Sequence, residues 1–176
     1  IELGTLDVNL NPLPLLLGRA RFQFASLPGA TPQLSGAVER SRHRLALIDV
    51  NGAVIGGGLP GLAFEQLQFE QANLLISDGQ CRSATGRVRL MPALAIPGLN
   101  LRNGLAGPLR CDGADVAVLL TGDSGMERLS LRIKGDGRYE ARLGIATSDP
   151  MLRAALPLAG FQATAEGYAT RIEGRF

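Results

Sequence analysis

The sequence contains no tryptophan, one histidine and two cysteines, and this scarcity limits the chemistry it can support. His43, Cys81 and Cys111 supply at most three ligands, whereas a structural zinc site takes four. No apolar run approaches the roughly 18 residues that span a bilayer. The net charge of +2 is too small to indicate nucleic-acid binding. The arginines are also spread along the chain rather than gathered into a basic patch. We therefore predict no metal, no other cofactor and no nucleic-acid partner.

Glycine and proline, by contrast, are frequent, with 23 and 10 residues among 176 and no collagen period. Many short strands joined by tight turns would give this composition. With 45% hydrophobic residues, the chain can bury the core of one domain over residues 1–176. Two similar β halves, about 1–60 and 61–176, are the alternative. We predict a mostly β fold, an extended, curved antiparallel sheet or a sandwich-like domain.

The clearest local pattern is a hairpin between Leu129 and Ile145. Apolar and charged residues alternate on both sides of Gly135-Asp136-Gly137, so each arm has one buried face and one solvent face. The two glycines tolerate positive φ and allow the chain to reverse. The pattern predicts two antiparallel strands.

The period changes after this hairpin. Asp149 and Pro150 are typical of a helix N-terminus, and Gly160 can end the helix. Apolar residues recur between them at spacings of three and four: Met151, Leu152, Ala155, Leu156 and Ala159. These features predict one short helix at about 149–159, and alternation then predicts a final strand over Tyr168–Phe176.

Alternation elsewhere predicts further strands, and two stretches predict breaks. Asn51-Gly52 predicts a two-residue turn, and 56–61 predicts a break in the chain. Between Leu62 and Ser77 the apolar phase changes twice, which favours bulged strands over a helix. Met91–Leu105 is typical of a loop. The other predicted strands are 2–10, 19–27, 33–40, 43–50, 53–57, 81–90 and 109–120.

One tetrapeptide resembles a catalytic motif. Gly122-Asp123-Ser124-Gly125 matches the nucleophile loop of chymotrypsin-like serine proteases, and His43, Asp49 and Ser124 even follow the order of their triad. The surroundings of His43 and the chain length do not fit that family. Asp, Ser and Gly between two strands are ordinary turn residues. We predict a turn here and no catalytic residues in the chain.

The two cysteines lie beside predicted strand ends. A bond between Cys81 and Cys111 would close a loop of about 30 residues and stabilise the fold by about 3.6 kcal/mol in the chain-entropy model. We predict this disulfide. Two unrelated buried thiols in a cytoplasmic protein are the alternative.

Several short motifs, taken in order, resemble the family of type II secretion system protein N. The resemblance covers roughly Leu62–Phe176. Its motifs are Cys81-Arg-Ser-Ala-Thr-Gly86-Arg-Val88, Leu105-Ala-Gly107-Pro-Leu-Arg-Cys111, Leu129-Ser-Leu-Arg-Ile133, Gly135-Asp-Gly-Arg-Tyr139, Asp149-Pro-Met-Leu152 with Leu156 and Gly160-Phe161, and Gly167-Tyr168 with Glu173-Gly174.

The resemblance implies an accessory, non-catalytic component of the general secretion pathway of a Gram-negative bacterium. Members of this family have a short cytoplasmic start, one helix in the inner membrane and a periplasmic β-rich domain. The resemblance therefore implies an anchor upstream of Ile1. The resemblance implies contacts with the L, M and C proteins of the apparatus and with the secretin. The periplasm is oxidising, which agrees with the predicted disulfide.

We expect partner binding through a sheet edge, since an exposed strand can pair with a partner strand. Glu2–Leu10 and Tyr168–Phe176 are the candidate edges, unless they are internal or protected by Arg171 and Arg175. The functional alternative is lipid binding, because the chain is also similar in style to AsmA-like periplasmic β-repeat proteins.

Overall fold

The computed structural model describes residues 5–12, 15, 18–59, 62–93, 99, 101 and 103–175. These residues form twelve strands and one helix in a simple order. The elements are β1 (Leu6–Asn11), β2 (Ala20–Ser26), β3 (Leu34–Arg40), β4 (Arg44–Leu59), β5 (Leu62–Ser77), β6 (Gln80–Pro92), β7 (Leu105–Asp112), β8 (Asp115–Gly122), β9 (Glu127–Ile133), β10 (Arg138–Ile145), α1 (Pro150–Leu158), β11 (Gln162–Thr164) and β12 (Gly167–Arg175).

All twelve strands belong to one antiparallel sheet. Neighbours in sequence are neighbours in the sheet from β1 to β10, and β12 then lies between β10 and the short β11. The prediction of a mostly β fold with one short helix near the C-terminus is confirmed, and the architecture is a single open sheet. The division into one domain or two similar halves stays a prediction.

The sheet curls strongly along its length. The β5–β6 turn and the β9–β10 turn are four strand positions apart, which would be about 19 Å in a flat sheet. Nevertheless a Cβ atom on Gly135 of the second turn would overlap the backbone of Gly79 in the first. Only a glycine allows the two backbones to approach this closely. The sheet therefore has one concave and one convex face.

The concave face carries the core. In the half that includes β6 to β10, helix α1 covers this face, and Leu152 and Leu156 of the helix pack against the strands. Leu156 is fully buried. Strand residues of this core are Val88, Leu90, Leu105, Val118, Leu120, Leu129, Ala141, Leu143 and Ile145. A second, smaller cluster formed by Leu34, Val50, Val54 and Ala72 continues the apolar face towards β1.

The predicted turn at Asn51-Gly52 is wrong. Strand β4 runs through these residues without reversing, and its pairing with β5 shifts register on both sides of Val50. Asn73 Oδ1 accepts a hydrogen bond from the Asp49 backbone at 2.9 Å, and Asn51 Oδ1 accepts one from the Gln71 backbone at 2.8 Å. These two side chains replace ladder bonds lost at the bulge, so a turn sequence is accommodated inside a strand.

Three further predictions concern breaks and bulges in the strands, at 56–61, 62–77 and 109–120. The predicted break at 56–61 is wrong up to Leu59, where β4 ends, and residues 60 and 61 lie outside the described residues. The changes of phase in 62–77 do mark bulges, since β5 shifts register against β6 three times. A continuous strand over 109–120 is wrong, because Gly113 adopts a φ of 61° and divides it into β7 and β8.

Helix α1 begins as its sequence predicts. Asp149 is the N-cap, and its Oδ1 accepts a hydrogen bond from the Met151 backbone at 2.8 Å. Pro157 lies in the last turn, and Gly160 follows with a φ of 85°. The observed helix, Pro150–Leu158, confirms the predicted one to within a residue.

We expect Asp149→Ala to lower the free energy of unfolding by about 1 kcal/mol, because a backbone donor at the helix start loses its acceptor. Urea unfolding followed by circular dichroism measures the change. Asp149→Asn is the matched control, since its side-chain oxygen can still accept the bond. Equal losses in the two variants would contradict the capping role.

Candidate interaction surfaces

The two cysteines form a disulfide at the place where strands β6 and β7 separate. The ladder between these strands covers only Arg87–Leu90 on β6, so the start of β6 has no partner on β7. Cys81 and Cys111 are bonded there, with their Cα atoms 5.6 Å apart. The Cys81 backbone also donates to the Ala114 carbonyl at 2.7 Å. The disulfide thus joins the β1–β6 and β7–β12 parts of the sheet where strand pairing does not.

The residues of the protease-like motif do not meet. His43 lies at the β3–β4 turn, with its Nδ1 atom 3.3 Å from a carboxylate oxygen of Asp78. Ser124 lies in the β8–β9 turn, which is at the opposite end of the antiparallel strands. Its hydroxyl donates to Glu127 and accepts from the Met126 backbone. The predicted turn is confirmed, and Asp49 lies in the β4 bulge, away from both residues.

Glu127 is a buried carboxylate that the sequence reasoning did not single out. It is the one buried charged residue among the described residues, and it accepts the hydrogen bond from Ser124. A Cβ atom on Gly122 would overlap its side chain, so the turn closes around the carboxylate. In the sequence, the Ser-x-x-Glu spacing of Ser124 and Glu127 was the signal that could have indicated this hydrogen bond. This contact accounts for Ser124 as a structural turn residue.

Neither a metal centre nor a spanning helix is found in the part of the chain that the structure describes. No three His, Cys, Asp or Glu side chains there are grouped so that they could hold a metal ion. No described helix has both the length and the apolar character required to cross a membrane.

Strand β1 is an open edge of the sheet. No described strand pairs with it on the side away from β2. The Leu27 backbone donates to the Thr5 carbonyl, which places these two in a hydrogen-bonded pair. In an antiparallel ladder such pairs alternate with unbonded ones, so the N–H groups of Leu6, Val8 and Leu10 point outward. These groups are available to a further strand.

The apolar face continues uncovered up to this edge. Val8 and Leu10 are 56% and 49% exposed. Strand pairing places further apolar residues beside Leu10, in a row that runs from β1 across the sheet. Leu10 lies opposite Phe22, and successive partners across β3, β4 and β5 are Val38, Leu47 and Leu74. Helix α1 covers the other part of this face, but no described helix lies over this one. Strand β1 and this row together are called the β1 surface below.

The C-terminal edge is more protected. Strand β11 pairs with β12 over residues 167–169 only, and no described strand covers residues 170–175. Charged side chains lie along that stretch, and Arg171 forms ion pairs with Glu140 and Glu173. Charges on an edge strand discourage pairing with another chain. Of the two predicted edges, β1 is therefore the better template; Glu2 lies outside the described residues, as does Phe176.

The comparison with known families agrees with the resemblance described above, and its match reaches the start of the chain. The family described as type II secretion system (T2SS), protein N, matches residues 1–171. No curated protein and no solved structure matches the chain. This match includes residues 1–60, which lie outside the motifs that carry the resemblance. The chain therefore belongs to the type II secretion system protein N family.

Proposed function

We propose that this chain is a non-catalytic accessory component of the type II secretion apparatus that holds a neighbouring component by adding that component's strand to β1. The open β1 edge is the observation that carries the proposal. Its outward N–H groups belong to the alternate residues Leu6, Val8 and Leu10, and the side chains of Val8 and Leu10 are exposed and apolar. A partner strand can bond these groups and place its own apolar side chains beside the uncovered row.

The edge has little of the protection that normally prevents such pairing. Natural edges are usually protected by charges, proline or bulges. Strand β1 contains no proline, lysine or arginine, Asp7 is its one charged residue, and its register with β2 is regular from Leu6 to Asn11. An edge of six residues is long enough for a stable ladder once a partner supplies the other strand.

The family supports the class of partner. We propose that the partners are the L, M and C proteins and the secretin, and that the domain lies in the periplasm below an anchor outside the present chain. A disulfide between Cys81 and Cys111 fits an oxidising compartment. The lipid-binding alternative has no support from the comparisons.

We expect Val8→Pro to weaken binding of the partner domain by at least about tenfold. Proline has no N–H group, so the ladder between β1 and the partner strand loses the hydrogen bond at this position. The β1–β2 ladder should survive, since the Val8 N–H points away from β2. Titration of the purified domain with the periplasmic domains of each partner measures the effect. Val8→Thr is the matched control because it keeps the N–H group and the branched shape.

Three outcomes would count against the proposal. One is that none of the partner domains binds at tens of micromolar. The second is that Val8→Pro and Val8→Thr bind equally well. The third is that lipid co-purifies with the domain on native mass spectrometry and is lost on substitution of Leu10 and Phe22 of the β1 surface, which would favour the lipid alternative.

A further inference from the structure

The convex face contains a groove at the opposite end of the sheet from β1. Its floor is made by Gly144, Ala169 and Ala146, and Arg128 and Arg142 lie along its walls. The groove has a volume of about 390 Å³. Helix α1 packs on the other face, so the groove is separate from the core and from the β1 surface.

Gly144 is unusual among the strand glycines. Gly107 and Gly174 have no room for a side chain, because a Cβ atom would overlap Leu119 or Tyr139, and Gly86 has a φ of 104°. At Gly144 the nearest atom to an added Cβ is the Arg128 carbonyl oxygen at 3.8 Å, which is an ordinary contact. Glycine inside a strand costs about 0.5–1 kcal/mol relative to alanine. None of the described residues requires glycine here. A strand glycine with no such requirement is often a site of close approach by another molecule.

The two arginines of the groove lack partners within the described residues. Arg132 and Arg171 on the same face contact carboxylates: Arg132 contacts Asp112 and Asp115, and Arg171 contacts Glu140 and Glu173. Arg128 and Arg142 contact none, although both are exposed. Glu166 is the one carboxylate among the lining residues, and it lies in the β11–β12 turn. The groove therefore has unbalanced positive charge on its β9–β10 side.

The register sets the spacing of these charges. Arg128 lies opposite Gly144, and Arg142 is two residues before Gly144 on the same strand. The two arginines are thus diagonal neighbours, with a Cβ separation of about 7 Å. Alternate side chains of an extended peptide are about 6.8 Å apart. Leu119 and Met126, which are 41% and 45% exposed, add apolar surface to the groove.

We propose that this groove binds an extended acidic segment of a partner protein, with carboxylates on alternate residues contacting Arg128 and Arg142. The open floor at Gly144 lets the backbone of the segment approach the sheet. The positive charge of Arg128 and Arg142 favours an acidic ligand. The distance between the two arginines matches the distance between alternate side chains of an extended peptide, so carboxylates on alternate residues should bind better than carboxylates on adjacent residues. This surface does not depend on β1, so either proposal can fail without the other.

A fluorescein-labelled pentapeptide of alternating glutamate and valine is a suitable probe, with fluorescence anisotropy as the measurement. We expect it to bind more tightly than a pentapeptide of the same composition whose glutamates are adjacent. Arg128→Gln and Arg142→Gln should each weaken binding by about threefold to fivefold. Gly144→Val should weaken it by filling the floor, whereas Glu166→Gln should strengthen it. Arg153→Gln, on the exposed side of α1, is the control for general charge and should have no effect.

The result that overturns the proposal is absence of binding, equal binding of the two peptides, or an equal loss with Arg153→Gln. Binding to phosphatidylglycerol vesicles without binding to the peptide would overturn it as well. Circular dichroism establishes that each variant is folded. Should Gly144→Val fail to fold, the double variant R128Q/R142Q still tests the site, since both side chains lie at the surface.

Discussion

Reduction of the Cys81–Cys111 disulfide is expected to lower the free energy of unfolding by about 3.6 kcal/mol, the largest change that a single bond of this protein should produce. The bond closes a loop over a sequence separation of 30 and so restricts the unfolded chain. It also lies where β6 and β7 have no ladder, so strand pairing does not replace it. Urea unfolding with and without dithiothreitol measures the difference.

The double variant C81S/C111S is the control, because dithiothreitol should not change its stability. Hydrogen exchange adds a local test. We expect reduction to increase exchange at the start of β6 and the end of β7 more than in the β9–β10 hairpin, whose strands pair over their full length. Thiols that label fully in the unreduced protein, or a transition that reduction leaves unchanged, would contradict the stabilising role.

Leu156→Ala is expected to lower the free energy of unfolding by about 2–5 kcal/mol, because a fully buried side chain between α1 and the sheet is removed. This residue fixes the helix over the concave face. Its loss should also expose apolar surface in the β6–β10 half, where the sheet is normally covered. Urea unfolding gives the free energy, and binding of a hydrophobic dye reports the exposed surface.

Leu158→Ala is a matched control on the same helix, since Leu158 is 90% exposed. A surface change of this kind should stay within about 0.5 kcal/mol. Equal losses at the two positions would mean that Leu156 contributes no more to stability than an exposed leucine of the same helix. Such a result would contradict the packing of α1 described above.

Local patterns predicted the elements in which sequence and burial agree. The β9–β10 hairpin follows from alternation around Gly135-Asp136-Gly137, where the Arg138 backbone donates to Asp136 and lowers the pKa of that carboxyl. Helix α1 follows from its N-cap and its apolar period. Both elements depend on interactions between residues close in sequence, and such interactions can be recognised without the fold.

The errors lie where distant strands replace local bonds. Asn51-Gly52 has the sequence of a turn, yet hydrogen bonds with β5 keep β4 continuous through it. Gly113 was the opposite case, since alternation continued across a real turn between β7 and β8. Periodicity describes side-chain direction, so it cannot distinguish a bulge from a reversal when both use glycine.

The same distinction applies to function. By itself the sequence determined a β-rich domain with a C-terminal helix, and its ordered motifs indicated the protein N family, because these properties depend on residue type and spacing. For the part of the chain that the structure describes, only the tertiary structure decided which edge is open, which part of the apolar face lacks a helix and which arginines lack carboxylates. The reason is physical, since exposure and charge balance depend on strand neighbours that register and curvature bring together.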